Sequence, residues 1–450
     1  LNLTDVGNEG YSVSCGSGSG STNATANFGQ DSNFGTNADG NGIGKFKYAV
    51  PSGYLALCSK NLGTNSILNI ETDDRPEDYF DTILYQASTS NGTHAHGSIS
   101  FQADLAWIKC RNAGEKYFII DSVRGNQGIT DKFLPVNMNP EGTNGVSGTT
   151  FTQTATGYQF VESSISSGEL YYNNRTYVGW NWKAGGAPTA DNSAGQGAVP
   201  TAGSSKVDGS NRTAAYTGIT SPKRQTVNTK AGFSITRYTG NATGGGAANS
   251  VDHGFSVQPE MIWFKGVTGT KNWAVYNKYL SDDNSYFLYL NGNDDEITTS
   301  SDMWNGLSPT NSVVHMGYEN TVNENNVDYM MYAWHSVEGY SKIGKYNGTG
   351  TSGDAPFVHC GFKPAFVMLK RIGTSGDGSW FMLDNKRSPN NQVVISLSQG
   401  TPNDVTDSNF MDFCANGFKI RTSGGAVNTN INDYAFMAFA ENPFKYSTAR

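Results

Sequence analysis

Ala103-Asp-Leu-Ala-Trp-Ile-Lys109 is an apolar stretch closed by a lysine, and the chain writes it twice more, as Pro259-Glu-Met-Ile-Trp-Phe-Lys265 and Pro364-Ala-Phe-Val-Met-Leu-Lys370. The lysines stand 156 and 105 residues apart. Tyr177-Val-Gly-Trp-Asn-Trp182, Tyr329-Met-Met-Tyr-Ala-Trp334 and Tyr434-Ala-Phe-Met-Ala-Phe439 keep the same step, beginning 152 and then 105 residues apart. Tyr85, Tyr238 and Tyr346, each closing a short strand, follow at 153 and 108. Three phrases with one spacing identify three copies of a unit of about 105 residues, with an insertion between the first and the second. That period lies far above the ~20–50 residues of stacking repeats, so each copy is predicted to be a small domain.

Inside a copy the period is two. Tyr117-Phe-Ile-Ile-Asp121, Trp273-Ala-Val-Tyr-Asn277 and Trp380-Phe-Met-Leu-Asp384 are five-residue strands one hairpin after the lysines. The chain holds 54 Gly, 23 Tyr and 23 Phe, while charged residues make up 16 %, a balance suited to sheets joined by tight turns. The predicted fold class is all-β: tandem antiparallel β-sandwiches of jelly-roll or concanavalin-like form, roughly 8–10 strands each. The predicted organisation is the end of a different sandwich plus connector over 1–78, then repeats over 79–183, 231–338 and 339–450. Residues 184–230 carry almost no large apolar side chain, and read as a flexible linker or a surface excursion tacked onto a neighbour. Repeats two and three follow each other at once and are expected to form a rigid pair, with repeat one able to move against them.

A net charge of −8 argues against nucleic acid or an anionic membrane as partner. No apolar run approaches the ~20 residues of a membrane-spanning helix. The five cysteines (15, 58, 110, 360, 414) fit neither a zinc site nor a disulfide framework, and read as free thiols of a reducing compartment. The chain opens on Leu1 without a signal-peptide pattern, as a piece of something longer would.

Residues that could carry chemistry can be compared across the copies. The strand-end position is Asp121, Asn277 and Asp384, so one copy lacks the charge catalysis requires, whereas turn capping suits all three. Replacing Asp121 with Asn is therefore expected to be tolerated. Lys109, Lys265 and Lys370 read as edge gatekeepers or as covers over apolar surface, in preference to contacts with an acidic sugar or a partner subunit. Seven of eight tryptophans fall in the repeated strands and are assigned to the core. Trp304 stands apart, and with Asp294 and Asp295 it is the candidate for glycan contact. Asp294, Asp295 and Glu296 could together hold Ca²⁺, although no EF-hand spacing is present, and a solvated loop is the simpler reading. His94 and His96 are the sole close histidine pair, too few for a metal site. No nucleophile–base or nucleotide motif is found, so no catalytic residue, cofactor site or metal site is assigned.

Ala26-Asn-Phe-Gly-Gln30 through Asp39-Gly-Asn-Gly42, with Tyr54-Leu-Ala-Leu-Cys58, resembles the end of a SPRY-type sandwich in large structural proteins of marine bacteriophages. Tyr177-Val-Gly-Trp-Asn-Trp-Lys183, Asp121-Ser-Val-Arg-Gly125, Gly361-Phe-Lys-Pro-Ala-Phe-Val367 and Ala438-Phe-Ala-Glu-Asn-Pro-Phe-Lys445 resemble the repeat domain that follows it there. Two departures stand out: the leading sandwich is incomplete, and Ala103 replaces the proline of the other copies. The resemblance implies a virion component, assembled in the host cytoplasm and exposed outside the cell, and brings no catalytic residues. The expected role is a non-enzymatic tail-fibre or adhesin component, a homotrimer beside other virion proteins, binding a host-surface glycan through loop tips. The alternatives are a capsid decoration or head-fibre protein, and a polysaccharide depolymerase with paired carboxylates.

Overall fold

The computed structural model describes residues 36–52, 54, 75–114, 117–124, 134–135, 149–162, 170–192, 197–242, 249–267, 269–298, 302–372, 378–398 and 404–441. The chain divides into two compact units, Leu1–Leu62 and Gly63–Arg450. In the first, Asn37 and Phe46 form an isolated bridge, and Asp39 Oδ1 accepts the backbone N–H groups of Asn41 (2.9 Å) and Ile43 (2.8 Å). The strand expected over 46–50 is limited to that bridge. The segments expected as strands around Tyr11, Ala26–Phe28 and Leu55–Cys58, and the thiols of Cys15 and Cys58, lie outside the described residues.

The larger unit is all-β, with antiparallel sheets. Eight strands belong to each repeat among the described residues. In every repeat the first strand pairs with the last, the last with the lysine strand, and the lysine strand with the Asp/Asn strand. The strands run Phe80–Gln86, Thr176–Trp182, Leu105–Cys110 and Phe118–Asp121 in repeat one. They run Phe233–Thr239, Asp328–Trp334, Met261–Gly266 and Ala274–Asn277 in repeat two. In repeat three they are Ser341–Asn347, Asp433–Ala440, Pro364–Arg371 and Phe381–Asp384. Even the register repeats: Tyr85, Tyr238 and Tyr346 lie opposite Tyr177, Tyr329 and Tyr434.

These tyrosine pairs stack with ring centroids 4.9, 5.4 and 5.0 Å apart. The first tyrosine of each pair donates its hydroxyl to the carbonyl of Leu170, Val322 or Val427, the last two in one-turn helices. The second accepts the N–H of Tyr172, Glu324 or Thr429. A ring in the core and a hydroxyl on the backbone fasten the same loop in each copy.

The central strands are buried on both faces. Along the lysine strand, Leu105 and Trp107 enter one cluster while Ala106 and Ile108 enter another. Met261 and Trp263 alternate with Ile262 and Phe264 in the same way, as do Phe366 and Met368 with Val367 and Leu369. The inner faces of all three repeats meet in one shared core, and the outer faces close three separate ones. Phe80 stacks on Phe439 (4.9 Å), Trp107 meets Trp263 edge to face (5.4 Å), and Trp182 meets Trp334 (6.1 Å), so every repeat touches another through rings. The expected mobility of repeat one is therefore replaced by a closed three-repeat body, because an inner face this apolar would otherwise be exposed to water.

Residues 197–230 are folded onto repeat two. Ser205–Val207 runs parallel to Arg224–Asn228, which extends the repeat-two sheet beside Phe233–Thr239. Arg212 reaches Asp252 with two hydrogen bonds (2.9 and 2.8 Å) and lies over the Tyr216 ring. Hydrogen bonds to an existing sheet edge supply what its few apolar residues do not.

Candidate functional site

The residues repeated in the sequence converge on the seams between repeats. Asp121 is fully buried, with Oδ1 on the Arg124 backbone N–H (2.8 Å) and Oδ2 on the Arg124 guanidinium (2.7 Å). Tyr332, from repeat two, donates its hydroxyl to the same Oδ2 (2.8 Å). Asp384 repeats the arrangement with Arg387 (2.8 and 2.6 Å), and its Oδ2 accepts the indole N–H of Trp180, from repeat one (3.1 Å). Trp180, Tyr332 and Met437 occupy one register position, opposite Trp107, Trp263 and Met368. The donors thus pass cyclically, from repeat two to one and from one to three. By that rotation Met437 belongs to Asn277, which caps the Tyr279 N–H (2.8 Å) but whose Nδ2 has no acceptor. Capping operates in all three copies. In two of them the carboxylate also holds a seam together, so Asp121→Asn is not the neutral change expected from sequence.

Lys109, Lys265 and Lys370 are buried, neither edge gatekeepers nor surface covers, because their strand has a neighbour on each side and packs on both faces. Their ammonium groups lie over Tyr117 (3.4 Å), Trp273 (6.0 Å) and Trp380 (5.6 Å). Lys265 donates to the Lys271 carbonyl and Lys370 to that of Gly378. Burial pulls Lys109 and Lys265 down to about 7 from 10.5, since a desolvated amine favours its neutral form.

The other candidates are dispersed. Trp304 is buried in repeat two, donating its indole N–H to the Tyr286 carbonyl (2.8 Å), so its ring does not face solvent for sugar stacking. Asp294 is exposed, Asp295 lies 3.6 Å from Arg371, and Glu296 accepts the Ser281 N–H (2.9 Å). These carboxylates turn to different partners rather than around a common centre, and among the described residues no cluster of His, Cys, Asp or Glu is placed to hold a metal ion. His94 Nε2 meets the Ser90 carbonyl (2.9 Å) and His96 Nε2 the Tyr171 hydroxyl (3.0 Å).

A cleft of about 430 Å³ lies where repeat one meets the excursion, and sequence reasoning missed it. Its floor is the loop leaving the first repeat's last strand. Buried Asp104 clamps that loop, with Oδ2 accepting the N–H groups of Ala184 (2.7 Å) and Gly186 (3.2 Å). Burial pushes the Asp104 carboxyl above its ordinary range, while these bonds pull it back. Glu260 clamps the matching loop of repeat two through Ser336 N–H (2.7 Å), whereas the third copy has Ala365. That acid one residue before the strand was the available signal. Across the cleft, Asp208 binds the Thr229 N–H (2.8 Å) and hydroxyl (2.5 Å), and Asn228 Oδ1 caps Ala231 (2.9 Å). Gly186 and Gly209 line it at φ of 92° and 84°, with open space where a side chain would begin. Lys183 and Lys230 bring two ammonium groups.

The profile of a family described as a domain of unknown function, DUF7483, matches residues 75–226 and again 208–443. The second match spans repeats two and three. Among curated proteins and among solved structures, nothing matches the chain.

Proposed function

We propose that this chain, which belongs to the DUF7483 family, is a virion structural protein of the tail-fibre or adhesin kind, a rigid three-repeat scaffold that presents a glycan-binding cleft to a host surface. The observation that carries the reading is where the polar residues are used. The Asp–Arg pairs, with Trp107, Trp180, Trp182, Trp263 and Trp334, hold repeats together, the buried lysines bond within their own repeats, and the cleft at the repeat-one seam is left as a concave surface of ligand size. Its carboxylates are engaged by backbone and threonine groups, which suits holding a saccharide better than cleaving one. The virion part of the reading rests on the resemblance of those sequence phrases to phage structural proteins.

The reading includes self-association into a trimer through surface other than the inner faces, since those are used within one chain. A native mass equal to one chain would remove that part. Immuno-electron microscopy of particles encoding this chain tests the whole: label at the fibres is expected, label over the capsid would favour a decoration protein, and unlabelled particles would overturn the virion assignment. In parallel, purified chain should compete with particle adsorption to host cells.

A further inference from the structure

We infer that Asn305, in repeat two, is a site of spontaneous covalent modification, where the side-chain amide is converted to aspartate and isoaspartate through a cyclic imide formed with Gly306. The inference goes beyond the attachment reading and does not depend on it.

The reaction is a hydrolysis, with water as its co-reactant. The Gly306 nitrogen, its proton lost to base, bonds to the Asn305 side-chain carbonyl carbon, and the bond from that carbon to the amide nitrogen breaks, releasing ammonia. Water then opens the imide at either carbonyl. A carboxylate is left and nothing is oxidised or reduced. The step asks for a following residue without a side chain to shield its nitrogen, a peptide free to turn towards the amide, and access to water and base.

Six Asn-Gly pairs lie among the described residues, and in five of them the glycine peptide is held. Gly42, Gly292 and Gly348 donate their N–H groups to the carbonyls of Asp39 (3.0 Å), Tyr289 (3.3 Å) and Asn432 (2.8 Å). Gly92 and Gly417 are fixed in strand ladders, opposite Glu162 and Cys414.

Asn305-Gly306 differs on each count. Both residues are exposed, at φ of 58° and 64°, and form the centre of a turn closed by the Leu307 N–H on the Trp304 carbonyl (3.1 Å). Among the described residues nothing hydrogen-bonds the Asn305 side chain or the Gly306 N–H. One hydrogen bond is all that has to open for the nitrogen to reach the amide carbon.

The product alters the turn. Isoaspartate routes the backbone through the former side chain, which adds a methylene between Trp304 and Leu307 and a negative charge at neutral pH. The turn is anchored on both sides, by the buried Trp304 indole N–H on the Tyr286 carbonyl (2.8 Å) and by the Ser308 hydroxyl on Asp283 (2.7 Å). A longer link between fixed ends strains them.

The test is to keep the whole chain in warm, mildly alkaline buffer and follow every Asn-Gly peptide by mass spectrometry, with isoaspartyl methyltransferase labelling the product. Asn305 is expected to convert at least roughly tenfold faster than any of the other five, faster still as pH is raised, and the converted chain to melt at a lower temperature. Asn305→Gly suits the positive φ and lacks the amide, so it is expected to fold as the unmodified chain does and to take no label at this turn. Earlier conversion at any of the other five would overturn the inference. So would an Asn305 that stays intact in the folded chain while a free peptide of residues 303–308 converts. A converted chain that melts with the fresh one would remove the strain assigned to the longer turn.

Discussion

Repeats one and three carry a buried Asp–Arg pair at their seams where repeat two carries none. In the first pair, Asp121 faces Arg124 and Tyr332, and Asp384 faces Arg387 and Trp180. In repeat two the same three places hold Asn277, Leu280 and, by rotation, Met437. Carboxylate, guanidinium and hydrogen-bond donor have gone together. A buried ion pair is nearly interchangeable with an apolar set of similar volume, while half a pair is costly, so intermediate combinations are disfavoured. The difference teaches that these residues act as a unit, and that the unit is structural.

Splitting the unit should have the largest effect. Asp121→Asn leaves Arg124 buried without its counter-ion and should cost about 3 kcal/mol in denaturant unfolding of the whole chain. A cost near zero would show that the seam is held by apolar contacts alone. Asn277→Asp makes the converse error, an unpaired carboxylate beside Leu280, and should cost about 2–3 kcal/mol at neutral pH. Its carboxyl would titrate higher folded than unfolded, so the penalty should grow as pH rises above ~4; a flat profile would contradict the dry environment assigned to repeat two.

The buried amines give a smaller effect, in the opposite direction. Folded Lys109 and Lys265 titrate near 7 against 10.5 for the ordinary amine, so between those values the unfolded chain binds more protons. Stability should rise from pH 7 towards 10, by on the order of 1–3 kcal/mol, and Lys265→Met should reduce that rise in parallel melts at each pH. Smallest of all should be the complete exchange Asp121→Asn, Arg124→Leu, Tyr332→Met, which rebuilds the repeat-two set in repeat one. It is expected to lie within about 1–2 kcal/mol of the unmodified chain, well above Asp121→Asn alone. A sum of independent losses would show that the three residues do not act together.

The triplication was legible because strand phrases recur at fixed spacing, and the observed registers repeat residue for residue at Tyr85, Tyr238 and Tyr346. The shared core was also written in the chain. Leu105-Ala-Trp-Ile108, Met261-Ile-Trp-Phe264 and Phe366-Val-Met-Leu369 have no polar alternation, and a strand apolar on both sides requires a layer on each. Treating the lysines as surface groups, and repeat one as mobile because residues 184–230 separate it from the other two, overlooked that. The cleft was illegible for a different reason. Tyr79, Asp104, Lys183 and Asp208 are far apart in sequence, and they meet through an excursion without periodic pattern. Trp304 was a candidate for glycan contact because it lies outside the repeated strands, yet a unique residue can fill a unique gap, here against Phe264 (5.5 Å) and Tyr276 (5.7 Å).

Since each inner face is covered by the other two repeats, copy number is locked at three. Losing one module would strip the two survivors of part of their cover. Such a chain can diversify by lengthening its loops, as between residues 184 and 230, without touching the side chains that face the shared core.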